Sequence, residues 1–568
     1  MPNGRKRKIV DGLDDEETYR DISIKVKLGR LRPPPDLRAA IEDATCRVHD
    51  IVARGLLLAN HTLIRELAFE RFPDITSQSW WLNCIKIWGT IKVQKGPPPK
   101  IDPRVREAYE TLKDRPGMSQ VPMDLIVHTI NQVVEILMAN TWTHVAQNFH
   151  NFLRKAFQRE FSIFETDVRR LTDKERNCAR ESAMRHSLGG EIFWDPVVRQ
   201  DLRQRLESVY VPWTSKYEKV CPVKDAQFIN KEDCPDLIRW MADLSAHRDR
   251  CAAREDVEFY KGCMRTHRLI PLGSLKVRHI LITKTVFKEE LLPLARRIRK
   301  SKSPKDQDPV FEDYFPGILK LKPCPGAVFA DYFATDGVSV SLRYKKPAAV
   351  PMSAVMKRYK KDKGFVTVEG EDMKSAHPPR LPREGERLVA LDPGRRDVVF
   401  GSVYGSDETV HLSTGQLCHD SGRRWSKRQS DKVFSAIQHQ DMTLADAKAN
   451  LPSSKTSSWA AWETFVAAYV PLLQVTLDVW KRNAFARRHF GVTERKTSAW
   501  TRYARTSRAV FEERLWPLVE PHPAQQVVDT PRCHKSAFER DLKRSMVLEC
   551  PSSESVTRVK DVLNASIS

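Results

Sequence analysis

The stretch RLVALDPGRRDVVFGSVYG, Arg387–Gly405, decides how the second half of this chain folds. Leu388, Val389, Ala390 and Leu391 are apolar on both faces, the pattern of a strand in the middle of a covered sheet. The run ends in Asp392, so a carboxylate sits at a strand terminus, where an unpartnered buried charge is expensive. Pro393-Gly394 supplies a turn. Val398–Tyr404 reads as the returning hairpin partner, and Thr409-Val410-His411-Leu412 as a third strand.

Two readings of Asp392 stand side by side. One is a plain hairpin aspartate. The other is the first ligand of an RNase H-like nuclease, in which a strand delivers a hard oxygen to Mg2+ for phosphodiester cleavage. A sugar-kinase or actin-like ATPase also opens with a strand and an Asp-x-Gly turn, but it wants Thr or Ser just after the glycine. Here Arg395 and Arg396 follow.

Upstream, FATDGVSVSLRYKKP from Phe333 carries an Asp-Gly turn and then strict alternation. Val338, Val340, Leu342 and Tyr344 are expected to face a core. Ser339, Ser341, Arg343 and Lys345 form the opposite row, suited to a sugar-phosphate backbone or to an ordinary wet sheet face. KRYKKDK at 357–363 reads as a basic linker, and so does ARRIRKSKSPKDQDP from Ala295, as a solvated charge run or a phosphate contact. His279–Thr283 reads as a short strand, followed by a helix through Leu291 to Arg299. Near the start, Ile22, Ile24, Val26 and Leu28 alternate with polar residues, predicting a half-buried strand.

Between these lie helices. One is capped by Asp36 and carries Leu37, Ile41, Ala44, Val48 and Ile51 as a core stripe. Another spans 124–161, with Ile130, Val134, Leu137, Val145, Phe152 and Phe157 apolar and Arg154, Lys155 and Arg159 opposite. His128, His144 and His150 within it are assigned no chemistry. Residues 165–265 read as mostly helical, anchored by Trp194, Trp213 and Trp240. Late in the chain, Trp459, Trp462, Phe465, Val466 and Tyr469 predict a core helix kinked at Pro471. Arg502, Arg505 and Arg508 recur every three residues on the next helix, as a phosphate-tracking stripe or a solvated face.

Ninety-five Lys and Arg against 73 Asp and Glu in 568 residues give a net charge of +22, so the expected partner is a polyanion, with nucleic acid ahead of an anionic membrane. Phe465–Trp480 is the most apolar stretch, but Pro471, Gln474, Thr476 and Asp478 interrupt it, and no membrane span is expected. The first residues lack an apolar signal core, and Arg5-Lys6-Arg7-Lys8 is the kind of cluster import receptors read, so a nuclear location is expected. Eleven scattered cysteines fit a reducing compartment. No Cys-x-x-Cys occurs. Cys221 with Cys234 and Cys251 with Cys263 are too far apart for a knuckle, so no zinc site is expected.

In combination, HRLIPLGSLKVRHILIT (267–283), FATDGVSVSLRYKKP (333–347), RLVALDPGRRDVVFGSV (387–403), LPSSKTSSW (451–459) and WTRYARTSRAVFEERL (500–515) resemble, in that order, the Fanzor proteins, eukaryotic relatives of the transposon-encoded TnpB nucleases. The resemblance covers roughly 20–515. It implies an α/β multidomain protein: a wedge-type β module with an inserted helical recognition lobe, then an RNase H-like (RuvC) α/β domain. It also implies an RNA-guided DNA endonuclease using Mg2+, with guide RNA and DNA as partners, the guide reading the target and the protein holding backbone.

On that reading the chain divides into a basic tail (1–20), strand plus helical lobe (21–265), β-rich module (266–346), basic linker (347–385) and nuclease domain (386–568). Asp392 becomes a catalytic metal ligand, and Glu549, closing the run Ser545–Glu549, is the candidate second. Asp561 is a poorer third. Arg343, Lys345, Arg395, Arg396, Arg502, Arg505 and Arg508 become nucleic-acid contacts. The family's second acidic motif, zinc ribbon and final aspartate have no counterpart before Ser568. The nuclease domain is therefore expected to be incomplete, leaving a non-catalytic DNA- or RNA-binding remnant of a mobile element as the alternative.

Overall fold

Ile22, Ile24 and Val26 alternate along strand β1 (Tyr19–Lys27) and are all buried, and the strand pairs on both edges, which places it inside a sheet. The computed structural model describes residues 19–510 except 70, 91–100, 189–193, 218–230, 266, 273–274, 276, 300–309, 348–357, 360–363, 369–388, 393–396 and 404–408. Side chains of 19–21, 299, 358–359, 364–368, 389–392, 397, 399–403, 409–410, 483, 497 and 500–510 also lie outside this description.

The later strands of the main sheet are β2 (Ile280–Thr283), β3 (Val328–Thr335), β4 (Ser339–Pro347), β5 (Arg358–Tyr359) and β6 (Gly364–Val368). Their order is β2-β3-β4-β1-β6-β5, every pair antiparallel. β1 runs along β4 from Tyr19 opposite Pro347 to Lys27 opposite Ser339, and along β6 from Ile22 opposite Val368 to Lys25 opposite Phe365. Residues 28–279 are thus an excursion between strands of one sheet. The segment read as a basic linker contains β5 and β6, because Phe365, Val366 and Val368 have the β-branched and aromatic character of a strand.

The excursion carries α1 (Pro35–Ala68), α2 (Gln78–Lys86), α3 (Pro103–Glu110), α4 (Val127–Asp167), α5 (Asp173–Ser187), α6 (Gln200–Lys216) and α7 (Cys234–Ala252). After β2 comes α8 (Leu292–Arg299). The expected stripe of α1 is buried throughout, each Leu or Ile contributing about 1.5–3 kcal/mol. Its cap differs from expectation. Pro34 is the N-cap residue and Asp36 lies inside the first turn, where its charge meets the helix dipole instead.

Helix α4 is capped from far away: the Glu290 carboxylate accepts from the backbone N–H of His128 at 2.5 Å and of Thr129 at 3.3 Å, and from the Thr129 hydroxyl at 2.6 Å. Arg159, expected on the wet face of α4, is fully buried and donates to the carbonyls of Cys263 and Leu244, both at 3.2 Å. Residues 244 and 263 close over this side of α4, while Arg154, Lys155 and Gln158 keep solvent access.

The second sheet is an antiparallel meander, with β7 (Val389–Asp392), β8 (Asp397–Val403) and β9 (Thr409–Ser413) in the order β9-β8-β7. Beyond it lie α9 (Thr414–Asp420), α10 (Arg423–Ser435), α11 (Leu444–Ala449), α12 (Trp459–Trp480) and α13 (Asn483–Val510). Phe434, Leu444, Leu472, Val479 and Phe485 form a small core among these helices, while Trp462, Phe465, Val470 and Leu473 join the main core. Helix α12 runs on through Pro471 and, among the described residues, is the one helix long and apolar enough to cross a membrane. Its buried face packs on α1, the behaviour of a core helix. The architecture is a mixed α/β one.

Candidate nucleic-acid interface and metal ligands

At the second sheet both strands read from the sequence are present, and the Pro393-Gly394 turn between them lies outside the described residues. Asp392 is the last residue of β7, opposite Phe400 of β8. β7 has β8 as its one neighbour among the described residues, although its apolar run would suit a strand flanked on both sides. The Asp392 side chain, Arg395, Arg396, Glu549 and Asp561 lie outside the described residues, as does the cluster Arg5–Lys8. The ligand pair expected for Mg2+ is therefore not brought together among the described residues. Arg502, Arg505 and Arg508 do fall on a helix, α13, with their side chains outside the description.

Of the expected core row, Val340, Leu342 and Tyr344 on β4 are fully buried, while Val338, just before the strand, is half-buried. The opposite row is not the open hydroxyl-and-cation ladder that alternation suggests. Ser341 and Ser23 are buried and share a hydrogen bond of 2.9 Å between their hydroxyls, and Ser339 donates to Asp336 Oδ1 at 3.0 Å. Helix α13 crosses this face, with Lys27 Nζ 6.0 Å from the Phe490 ring centre. The two hydroxyls are thus engaged inside the protein. Lys345 is exposed and Arg343 half-buried, so only the far end of the row keeps access to solvent.

A different element presents a dense run of exposed positive charge. Ser413 ends β9 and caps α9, accepting from Gln416 N at 3.0 Å, so α9 starts directly from the meander. Gly422, at φ 69°, then turns the chain into α10, a conformation costly for residues with a Cβ. Along α10, Arg423, Arg424, Lys427, Arg428 and Lys432 are exposed, and none has an ion-pair partner among the described residues. Arg424, Arg428 and Lys432 recur every four residues, on one stripe of the helix. Trp425 stands among these cations 47% exposed, which leaves an indole face open for a base to stack on. Arg495 of α13 lies 6.0 Å from the Trp425 ring centre and donates from Nε to the Ser421 carbonyl at 3.1 Å. Between them is an open cleft of about 350 Å³ lined by His419, Asp420, Gly422, Trp425 and Arg495. Sequence reasoning passed over this helix. The available signal was a tryptophan inside a basic run, RRWSKRQSDK.

A group of metal-competent side chains sits elsewhere, in the helical excursion. Glu160 of α4 and His247 and Cys251 of α7 are all buried, with their donor atoms within 4.8 Å of one another. Glu160 Oε1 is 3.1 Å from His247 Nε2, and Cys251 Sγ is 3.4 Å from the same nitrogen and 4.0 Å from Oε1. Burial works against the Glu160 carboxylate, but hydrogen bonds from His247 and Arg205 outweigh it and hold its pKa below the usual range. Burial, reinforced by Glu160, pushes the Cys251 thiol up to about 11. Cysteine-to-cysteine spacing could not find this group; His-Arg-Asp-Arg-Cys, one helical turn from His247 to Cys251, is the signal it left. Of the histidines of α4, His144 Nε2 bonds the Arg268 carbonyl at 2.6 Å, and the half-exposed His128 lies 2.8 Å from the Glu289 carboxylate.

No protein-family model matches this chain, and no curated protein matches it.

Proposed function

We propose that this chain binds nucleic acid through α10 and the adjoining face of α13, as part of a TnpB/Fanzor-like, RNA-guided DNA endonuclease. The observation that carries the reading is the exposed cation set of α10 around Trp425, without ion-pair partners among the described residues. Cations there can neutralise phosphates, and the indole offers a stacking surface that tolerates any base. Its position supports a nuclease rather than a bare binder, because α9 ties α10 directly to the meander at whose first strand Asp392 ends. On this reading Asp392 is the first Mg2+ ligand, Glu549 the second, and Arg5–Lys8 the nuclear address. DNA and a guide RNA are the partners.

The resemblance in the order of five segments favours catalysis; the alternative is a non-catalytic DNA- or RNA-binding remnant of a mobile element. Incubation of the full chain with its RNA, target DNA and Mg2+ separates them. The nuclease reading expects strand cutting that Asp392→Ala abolishes. Cutting that survives Asp392→Ala sinks the ligand assignment. Salt-sensitive binding with no cutting leaves the remnant, and absence of salt-sensitive binding sinks both.

A further inference from the structure

We propose that Glu160, His247 and Cys251 form a zinc-type metal site that fastens α7 to α4 inside the helical excursion, independently of any Mg2+ at Asp392. Zinc bonds of about 2.0–2.3 Å in a tetrahedron put neighbouring ligand atoms roughly 3.3–3.6 Å apart. The triangle here measures 3.1, 3.4 and 4.0 Å, so small adjustments of side chains already facing one another would seat an ion. His247 and Cys251 are four residues apart on α7 and leave the same face of that helix, the spacing by which one helix supplies two ligands.

The surroundings suit a bound ion. Arg205 Nε donates to Glu160 Oε2 at 2.9 Å, which turns the other oxygen, Oε1, toward His247 and the thiol. Trp213 packs edge-on against the His247 ring with centroids 5.4 Å apart and restricts its rotation. Ile163 and Val257 wall Cys251 on its far side. The three ligands leave a fourth position for water. A thiolate, an imidazole and one carboxylate select zinc or cobalt over magnesium or calcium, which prefer all-oxygen shells. An ion pair alone would explain Glu160 and His247, but not why a thiol completes the triangle.

Binding exchanges protons for the metal: the Cys251 S–H bond breaks, a sulfur lone pair goes to the ion and that proton passes to buffer, while the proton His247 Nε2 shares with Glu160 leaves that nitrogen, for Nδ1 in a neutral ring or for buffer in a charged one, freeing the Nε2 lone pair to coordinate. Affinity therefore rises with pH. Glutamate and thiolate together neutralise a divalent cation, with Arg205, Arg159 and Arg250 the further cations that face the group.

The test uses the full chain, stripped with chelator, dialysed metal-free and titrated with Co2+ and then Zn2+. One Co2+ per chain should bind with a sulfur-to-cobalt charge-transfer band and the visible absorption of a four-coordinate ion, and Zn2+ should displace it. Cys251→Ser should remove the charge-transfer band, and His247→Asn should weaken binding at least tenfold. A wild-type chain that takes up no Co2+, or binds it without the sulfur band, overturns the proposal without any variant. So does a folded Cys251→Ser or His247→Asn chain that keeps both band and affinity.

Discussion

Trp462 Nε1 of α12 donates to His61 Nδ1 of α1 at 3.0 Å, joining residues 401 positions apart in the chain. That bond fixes the imidazole. With Nδ1 accepting, the ring proton sits on Nε2 and points at Thr111 Oγ1, 2.8 Å away, while the Thr111 hydroxyl donates to the Ala108 carbonyl at 2.7 Å. Glu463 Oε1, 3.6 Å from His61 Nδ1, therefore faces a neutral ring rather than an imidazolium. Trp462→Phe leaves Nδ1 buried without a donor and should destabilise the fold by about 1–3 kcal/mol, read from urea unfolding. An unchanged midpoint would show that the bond contributes nothing.

The same burial makes stability depend on pH. Desolvation, aided by nearby arginines, holds His61 and His49 at about 3, against 6.5 for an exposed imidazole. Folded pKa values are depressed, so the unfolded chain binds more protons between pH 6.5 and about 3. Stability is then full above pH 6.5 and falls as the medium is acidified through that window, by up to about 1.4 kcal/mol per pH unit for each ring. Urea midpoints measured from pH 7 to pH 4 should decline. A flat profile contradicts the neutral-histidine account.

Gly317 offers a purely steric prediction. A Cβ there would lie 2.1 Å from the Arg30 carbonyl oxygen and 2.6 Å from Leu31 Cα, both rigid backbone, while the Gly317 N–H bonds the Leu31 carbonyl at 3.1 Å. Gly317→Ala should cost about 1–3 kcal/mol and lower the thermal midpoint. The glycine is needed because this segment touches the backbone just after β1, whatever its own φ.

Helix α10 separates charge from stacking. Replacing Arg424, Lys427 and Arg428 with Ala should flatten the dependence of binding on salt, by about 0.7–0.9 in the log–log slope for each phosphate no longer neutralised. Trp425→Ala should leave that slope nearly unchanged yet weaken single-strand binding by about 1–3 kcal/mol. Slopes and affinities from fluorescence anisotropy across a salt series would distinguish the two. Equal slopes in all chains would place the interface elsewhere.

Glu290 supplies the remaining prediction. Glu290→Ala removes the acceptor for two backbone N–H groups and one hydroxyl at the start of α4, and should lower stability by about 1–2 kcal/mol. Amide exchange in the first turn of α4 should accelerate more than exchange in its middle.

Local pattern was enough for the elements. Alternation of Ile22, Ile24 and Val26, the Asp-Gly turn at 336–337, the apolar stripe of α1 and the Val389–Asp392 strand with its hairpin partner were all readable, because period and turn chemistry act over a few residues. Three-dimensional folding settled which polar atoms are available. Ser341 looks solvent-facing by alternation, but pairing of β4 with β1 sets it opposite Lys25 and diagonal to Ser23, whose hydroxyl it bonds, and α13 covers that face. Arg159 looks wet by helical period, but neighbours close around it. Glu160, His247 and Cys251 meet only because α4 and α7 pack together. Sequence spacing carries the backbone's short-range preferences; contacts between distant segments arise from burying apolar surface in common, and one chain position does not encode which partner will arrive.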